Sequence, residues 1–278
     1  MKMAFSPCPN DTFVFHAWVH GLIEDAPNLE VTYADIDKTN YWAADLEGPE
    51  VMKISFAALP YVIDDYALIP CGGALGRGCG PLVLTSGKTK GIQDLSGKTV
   101  AVPSDKSTAY MLFRLWAAQE ISGTVGEIIV MPFDEIMPAV KEGKVDAGLV
   151  IHEARFTYQD YGLAMIVDLG DWWEEDTGLP IPLGAIIARR SLNMKDELTD
   201  WVQKSVQYAW EHPDASMGYV MEHAQEMSSD VAKSHIDLYV NEFTGELGED
   251  GFAAIESLLG RAAKEGLIPA FDMKKLRE

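Results

Sequence analysis

Thr99-Val100-Ala101-Val102, closed by Pro103 and followed from Ser107 to Gln119 by a helical pattern, is the stretch that decides the fold. The run is short, compact and apolar, the mark of a strand buried on both faces. The pattern then repeats. Residues 128–131 read as a strand, 134–142 as a helix, and 147–151 (Ala-Gly-Leu-Val-Ile) as another strand. Strands that alternate with helices are expected to lie in mainly parallel sheets, since a parallel neighbour needs a long crossover. The chain is therefore α/β.

Toward the N-terminus the alternation continues. Residues 3–6, 29–36, 51–55, 66–69 and 81–85 read as strands, and 12–23, 41–46 and 57–63 as helices, with Asp11 the expected N-cap of the first. The C-terminal part differs: 195–211, 215–226, 230–240 and 251–265 are helical patterns with hardly a strand among them. Two apolar runs, 81–85 and 183–188, bracket the middle of the chain. They are expected to be crossovers between a large discontinuous lobe, 1–86 with 188–278 and its C-terminal helices, and a small inserted lobe, 87–187.

The 278 residues carry 43 acidic and 22 basic side chains, a net charge of −21. Such a surface repels phosphate backbones and anionic lipid, so neither nucleic acid nor a membrane is an expected partner. No apolar run approaches the roughly 18 residues a membrane span needs. The opening Met1-Lys2-Met3-Ala4-Phe5-Ser6-Pro7-Cys8-Pro9-Asn10-Asp11 breaks off before an apolar signal core can form. Cys8, Cys71 and Cys79 are odd in number and lack CxxC spacing, which fits neither a disulfide framework nor a four-cysteine zinc site. A cytoplasmic, reduced protein is expected.

Several motifs lose their first promise. Gly76 and Gly78 begin a GxGxxG, but Pro81 stands where the last glycine belongs, so 72–80 reads as a flexible loop. Gly87-Lys88-Thr89 and Gly97-Lys98-Thr99 end like phosphate-binding loops, yet Leu82 and Ile92 occupy the required glycine positions. His16 and His20 are spaced for a metal but lack a third ligand, and partly buried or capping roles fit them better. Asp171-Trp172-Trp173-Glu174-Glu175-Asp176 reads as a solvated helix with an apolar edge, either tryptophan being a candidate to line a site. No GxSxG and no cysteine–histidine partnership supports covalent catalysis.

His152 stands apart. It directly follows the 147–151 strand, and ligands of open α/β sheets bind beyond the carboxyl ends of their strands. Glu153 and Arg155 add an acid and a cation beside it. It reads either as a structural histidine or as a general base. Ser107 and Thr108 open a helix, where free N–H groups attract anions, or are plain caps. Lys53 and Ser55 occupy the corresponding end of an earlier strand.

Asp94-Leu95-Ser96-Gly97-Lys98-Thr99-Val100-Ala101-Val102, the Ser107-Thr108 helix start and Gly143-Lys144-Val145-Asp146-Ala147-Gly148 resemble the second lobe of the type II periplasmic-binding-protein fold. That implies two α/β lobes with mixed sheets, joined by two crossover strands and closing on a ligand. Over nearly its whole length the chain also resembles the 1,4-dihydroxy-6-naphthoate synthase family, enzymes of the futalosine route to menaquinone. The resemblance is carried by Phe5-Ser6-Pro7-Cys8-Pro9-Asn10-Asp11-Thr12-Phe13, Lys53-Ile54-Ser55, Gly72-Gly73-Ala74-Leu75-Gly76, Gly78-Cys79-Gly80-Pro81 and Ile151-His152-Glu153-Ala154-Arg155.

The resemblance implies a lyase that converts cyclic dehypoxanthine futalosine to 1,4-dihydroxy-6-naphthoate with loss of a sugar-derived fragment. His152 would be the proton acceptor, while Lys53, Ile54, Ser55, Thr108 and Ala109 would contact substrate. Deprotonation beside a carbonyl, elimination and aromatisation call for a base matched to neutral pH and for donors that hold enolate charge. They call for no metal or redox cofactor. The anionic substrate, an aryl carboxylate, would sit on hydroxyls and a helix N-terminus, with Ser107 and Arg155 close by. Chorismate dehydratase of the same pathway, or a non-catalytic cytoplasmic sensor of the same fold, are the rival readings, and the opening motif argues against the former.

Overall fold

The computed structural model describes residues 1–87, 91–224 and 228–278. Its strands are β1 Lys2–Phe5, β2 Glu30–Tyr33, β3 Val51–Ser55, β4 Tyr66–Gly76, β5 Leu82–Thr85, β6 Val100–Val102, β7 Ile128–Val130, β8 Ala147–Val150, β9 Ala164–Asp168 and β10 Ile181–Arg189. Among these run helices α1 Pro9–Val19, α2 Ile36–Ala44, α3 Thr108–Glu120, α4 Phe133–Glu142, α5 Ala154–Thr157 and α6 Leu169–Thr177. The C-terminal helices are α7 Lys195–Glu211, α8 Pro213–His223, α9 Ser229–Tyr239, α10 Glu242–Gly245 and α11 Gly248–Lys264.

The chain divides into two compact units, Met1–Gly76 with Pro182–Glu278, and Arg77–Ile181. The first holds a sheet of order β2-β1-β3-β10-β4. There β1 runs parallel to β2 and β3, and β10 runs antiparallel to β3. The second holds a sheet of order β7-β6-β8-β5-β9, with β6 parallel to β7 and β8, and β5 antiparallel to β8 and β9. Both sheets are mixed because β10 opposes β3 in the first and β5 opposes β8 and β9 in the second.

The first core packs α1 and α7 on the sheet through Phe5, Phe15, Trp18, Val202 and Ile186. The Phe5 and Phe15 ring centroids lie 4.9 Å apart with their planes tilted by 31°, within the separation that aromatic pairs favour. The second core joins Leu82, Leu84 and Val150 to Ile136 and Val140 of α4. Burial of side chains of this size stabilises each unit by about 1.5–3 kcal/mol apiece.

Three expectations are corrected by the structure, and one strand goes unread in the sequence. Asp11 is not the N-cap of α1, because the helix starts earlier: Cys8 is the extended cap residue and Pro9 follows. Proline suits that place, with its φ already helical and no N–H to satisfy. The stretch 72–80 is not a loop throughout, since β4 runs on through Gly76. A Cβ on Gly73 would lie 2.5 Å from the Gly184 carbonyl oxygen, so the glycines let β4 and β10 approach. Residues 57–63 form a 3-10 turn, Phe56–Tyr61, instead of an α-helix, with Pro60 inside it. Strand β9 carried no alternation to betray it, since Ala164, Met165, Ile166 and Val167 are all apolar yet mostly solvent-facing or half-buried. The mimic at Gly87-Lys88-Thr89 and the C-terminal end of the expected 215–226 helix fall partly outside the described residues.

Candidate active site

In the second unit, β6 and β8 are parallel neighbours, so their carboxyl ends share one edge of the sheet. Chain leaving β6 there turns into α3, and chain leaving β8 reaches His152. His152 is half-buried and has φ of 58°, in the left-handed region. A side chain other than glycine held there costs energy and persists where the surroundings over-determine it, a pattern concentrated at functional sites. Its ring lies 5.3 Å from that of Phe133. Beside it, Glu153 Oε2 is shielded from solvent and has no hydrogen-bond partner among the described residues.

Ser107 is the N-cap of α3. Its Oγ accepts from the Tyr110 N–H at 3.1 Å and donates to the Ser104 carbonyl at 2.9 Å. Thr108 and Ala109 are buried in the first turn. The Ala109 N–H is one of the orphan donors a helix start leaves, and it meets no acceptor among the described residues. Arg155 is tied down: Nη2 pairs with Asp168 at 2.5 Å, and Nη1 donates to the Gly80 carbonyl at 2.8 Å. Trp172 and Trp173 are both buried, and Trp173 Nε1 donates to the Pro180 carbonyl at 2.9 Å.

The first unit repeats the arrangement. β1 and β3 are parallel, so the chain after β1, which carries Cys8 and then Asn10 and Asp11 in the first turn of α1, lies at the same sheet edge as the end of β3 at Ser55. Lys53 forms a buried ion pair with Asp11, whose Oδ1 also accepts from Asn10 Nδ2 at 2.8 Å. Ile54 is wholly buried in the strand. Ser55 is gripped by Asn40, which accepts from the Ser55 N–H at 2.8 Å and donates to Ser55 Oγ at 3.0 Å. Asn10, Asp11 and Asn40 were absent from the residues read as functional. Asp11 carried a signal, standing in the opening motif, whereas Asn40 had none.

The other histidines keep to packing. His16 is buried with Nδ1 3.1 Å from Ser216 Oγ, and His20 Nδ1 is 2.8 Å from the His16 carbonyl. Burial, and then the neighbouring His20, hold the His16 imidazole below the usual histidine range. His235 is buried too. Among the described residues no three His, Cys, Asp or Glu side chains are grouped to hold a metal, and no helix is long and apolar enough to cross a membrane.

Two mixed α/β sheets of this order define a periplasmic-binding-protein-like fold. The aliphatic sulphonate binding protein of Escherichia coli superposes with a TM-score of 0.70 at 13% identity, covering 99% of this chain and 90% of its own. A structural-genomics target from Archaeoglobus fulgidus superposes at 0.86 with 36% identity, covering 96% and 98%. A family model described as menaquinone biosynthesis matches residues 1–264. The chain is 65% identical to a 1,4-dihydroxy-6-naphtoate synthase of Streptomyces coelicolor, over 97% of this chain and 95% of that protein. It is 45% identical to the same-named protein of Thermus thermophilus, over 96% and 95%. The chain belongs to the menaquinone-biosynthesis family, which upholds the resemblance read from its opening motif.

Proposed function

We propose that the chain is a cytoplasmic carbon–carbon lyase that converts cyclic dehypoxanthine futalosine to 1,4-dihydroxy-6-naphthoate. The observation that carries this reading is His152 itself, held at positive φ just beyond a buried parallel strand, beside the start of α3. His152 removes a proton next to a carbonyl, the sugar-derived fragment is eliminated, and aromatisation drives the sequence forward. A positioned base of this kind supplies roughly 10²–10⁴ in rate. The chemistry transfers no electrons to an outside acceptor and needs no Lewis acid.

The substrate is a small anionic molecule. In the second unit the Thr108 hydroxyl and first-turn N–H groups at Ala109 are the groups suited to a carboxylate, where the helix dipole favours negative charge, and in the first unit the Ser55 hydroxyl is the substrate contact. Ser107 orders that turn as its cap. Lys53 and Ile54 shape the same strand end, and Arg155 adds a cation to the turn that carries His152. Relatives 65% and 45% identical bear the synthase name, which favours this reading over a chorismate dehydratase or a sensor. The test is mass spectrometry of the purified protein incubated with cyclic dehypoxanthine futalosine, before and after exhaustive chelation. The naphthoate should form in both. Unconsumed substrate, or turnover restored only by added metal, overturns the proposal.

A further inference from the structure

Ser55 stands at the N-cap of the Phe56–Tyr61 turn, in extended conformation, yet its side chain makes no capping bond. Serine at such a place ordinarily accepts from the first turn. Here its oxygen is occupied by Asn40. The Ser55 N–H can only donate, so the amide atom 2.8 Å from it must be the carbonyl oxygen of Asn40. That fixes the other end: the atom 3.0 Å from Ser55 Oγ is the amide nitrogen, which can only donate. The amide orientation is thus settled by hydrogen-bond logic alone.

The consequence falls on the hydroxyl hydrogen. Ser55 Oγ already receives a hydrogen from Asn40, and its own hydrogen meets no acceptor among the described residues. Both residues are buried, Ser55 at 2% exposure and Asn40 at 0%. A buried donor without a partner is costly, so its acceptor comes from outside the chain.

We infer that Asn40 is a specificity-determining residue that acts through Ser55, turning its hydroxyl into a donor toward an acceptor oxygen of the substrate, a carboxylate oxygen above all. The inference rests on the reading that Ser55 touches substrate. It adds the polarity of that contact and the residue that sets it. A group with hydrogens and no lone pair, such as an ammonium, finds no match at this point.

The test is titration with the product, 1,4-dihydroxy-6-naphthoate, together with kcat and KM, at pH 8 where an introduced carboxyl is ionised. Ser55→Ala should weaken binding roughly 10–100-fold, the range for a lost buried donor. Asn40→Asp keeps the acceptor for the Ser55 N–H but takes the hydroxyl hydrogen for itself, so it should weaken binding at least as much and raise KM more than it lowers kcat. Asn40→Ala leaves the hydroxyl free to turn and should fall between wild type and Asn40→Asp, whereas a merely structural asparagine gives the reverse order. Because the two residues act on one hydrogen, Asn40→Asp with Ser55→Ala should bind no worse than Ser55→Ala alone. Thermal unfolding of each variant separates lost binding from lost fold. If Asn40→Asp does not fold, Asn40→Ala carries the test, since it must then bind better than Ser55→Ala.

Wild-type affinity in Asn40→Asp, or additive losses in the double variant, overturns the role of Asn40 alone. Undiminished binding by Ser55→Ala overturns the contact at Ser55. A wild-type protein that neither forms nor binds the naphthoate overturns the functional reading and this inference with it.

Discussion

Arg155 and Asp168 form an ion pair of 2.5 Å, with the carboxylate side only 4% exposed and the guanidinium 19%. The pair joins the short helix just after His152 to the end of β9, and the second oxygen of Asp168 caps α6 through the Gly170 N–H at 2.8 Å. Asp168→Asn keeps the cap but removes the carboxylate paired with Arg155. Removing one partner of a buried pair costs about 3–5 kcal/mol, so roughly 2–4 is expected for a guanidinium that water still reaches. Denaturant midpoints measure it. Restoration of wild-type stability by Arg155→Met in the Asp168→Asn background would identify the under-compensated Arg155 charge as the cause.

His152→Asn should lower turnover by about 10²–10⁴ while leaving KM within a few-fold, the mark of an interaction made only in the transition state. Asparagine is the right replacement because it tolerates the left-handed backbone that His152 adopts. Steady-state kinetics with unfolding controls decide the point. Turnover within tenfold of wild type would return His152 to a structural role.

Stability should depend on pH through His16. Its folded-state pKa is lowered, by burial first and by His20 second, so the unfolded chain binds the proton more readily. The stability contribution is then complete above an ordinary imidazole pKa of about 6.5 and is lost as pH falls below it. Ser216 and Tyr219 of α8, Tyr208 of α7 and His20 surround the ring. His16→Gln should flatten the dependence of the unfolding midpoint between pH 7 and 5. An unchanged slope would place the proton uptake elsewhere.

Cys71 and Cys79 are buried, and that burial pushes both thiols up to about 12. At pH 8 only about one thiol in ten thousand would be ionised, and the thiolate is the reactive form. In a Cys8→Ser variant neither remaining thiol should react with a disulfide reagent until denaturant is added. Rapid modification of the native variant would show that these sites open.

The sequence by itself determined the alternation of strands and helices, the helical C-terminal part, the cap at Ser107 and the motifs that mark the family. These are local properties: periodicity, capping chemistry and short strings depend on neighbours along the chain. Tertiary structure alone decided that Asp11 faces Lys53, that Asn40 grips Ser55 and that Arg155 meets Asp168. Each of these contacts depends on strand order and on where a helix lands, and neither is written in residue spacing. The same reason hid the true course of residues 72–76, whose glycines look like a loop until the Gly184 carbonyl is found 2.5 Å from where a Cβ at Gly73 would sit. Composition describes what a segment prefers, and packing against distant backbone decides what it does.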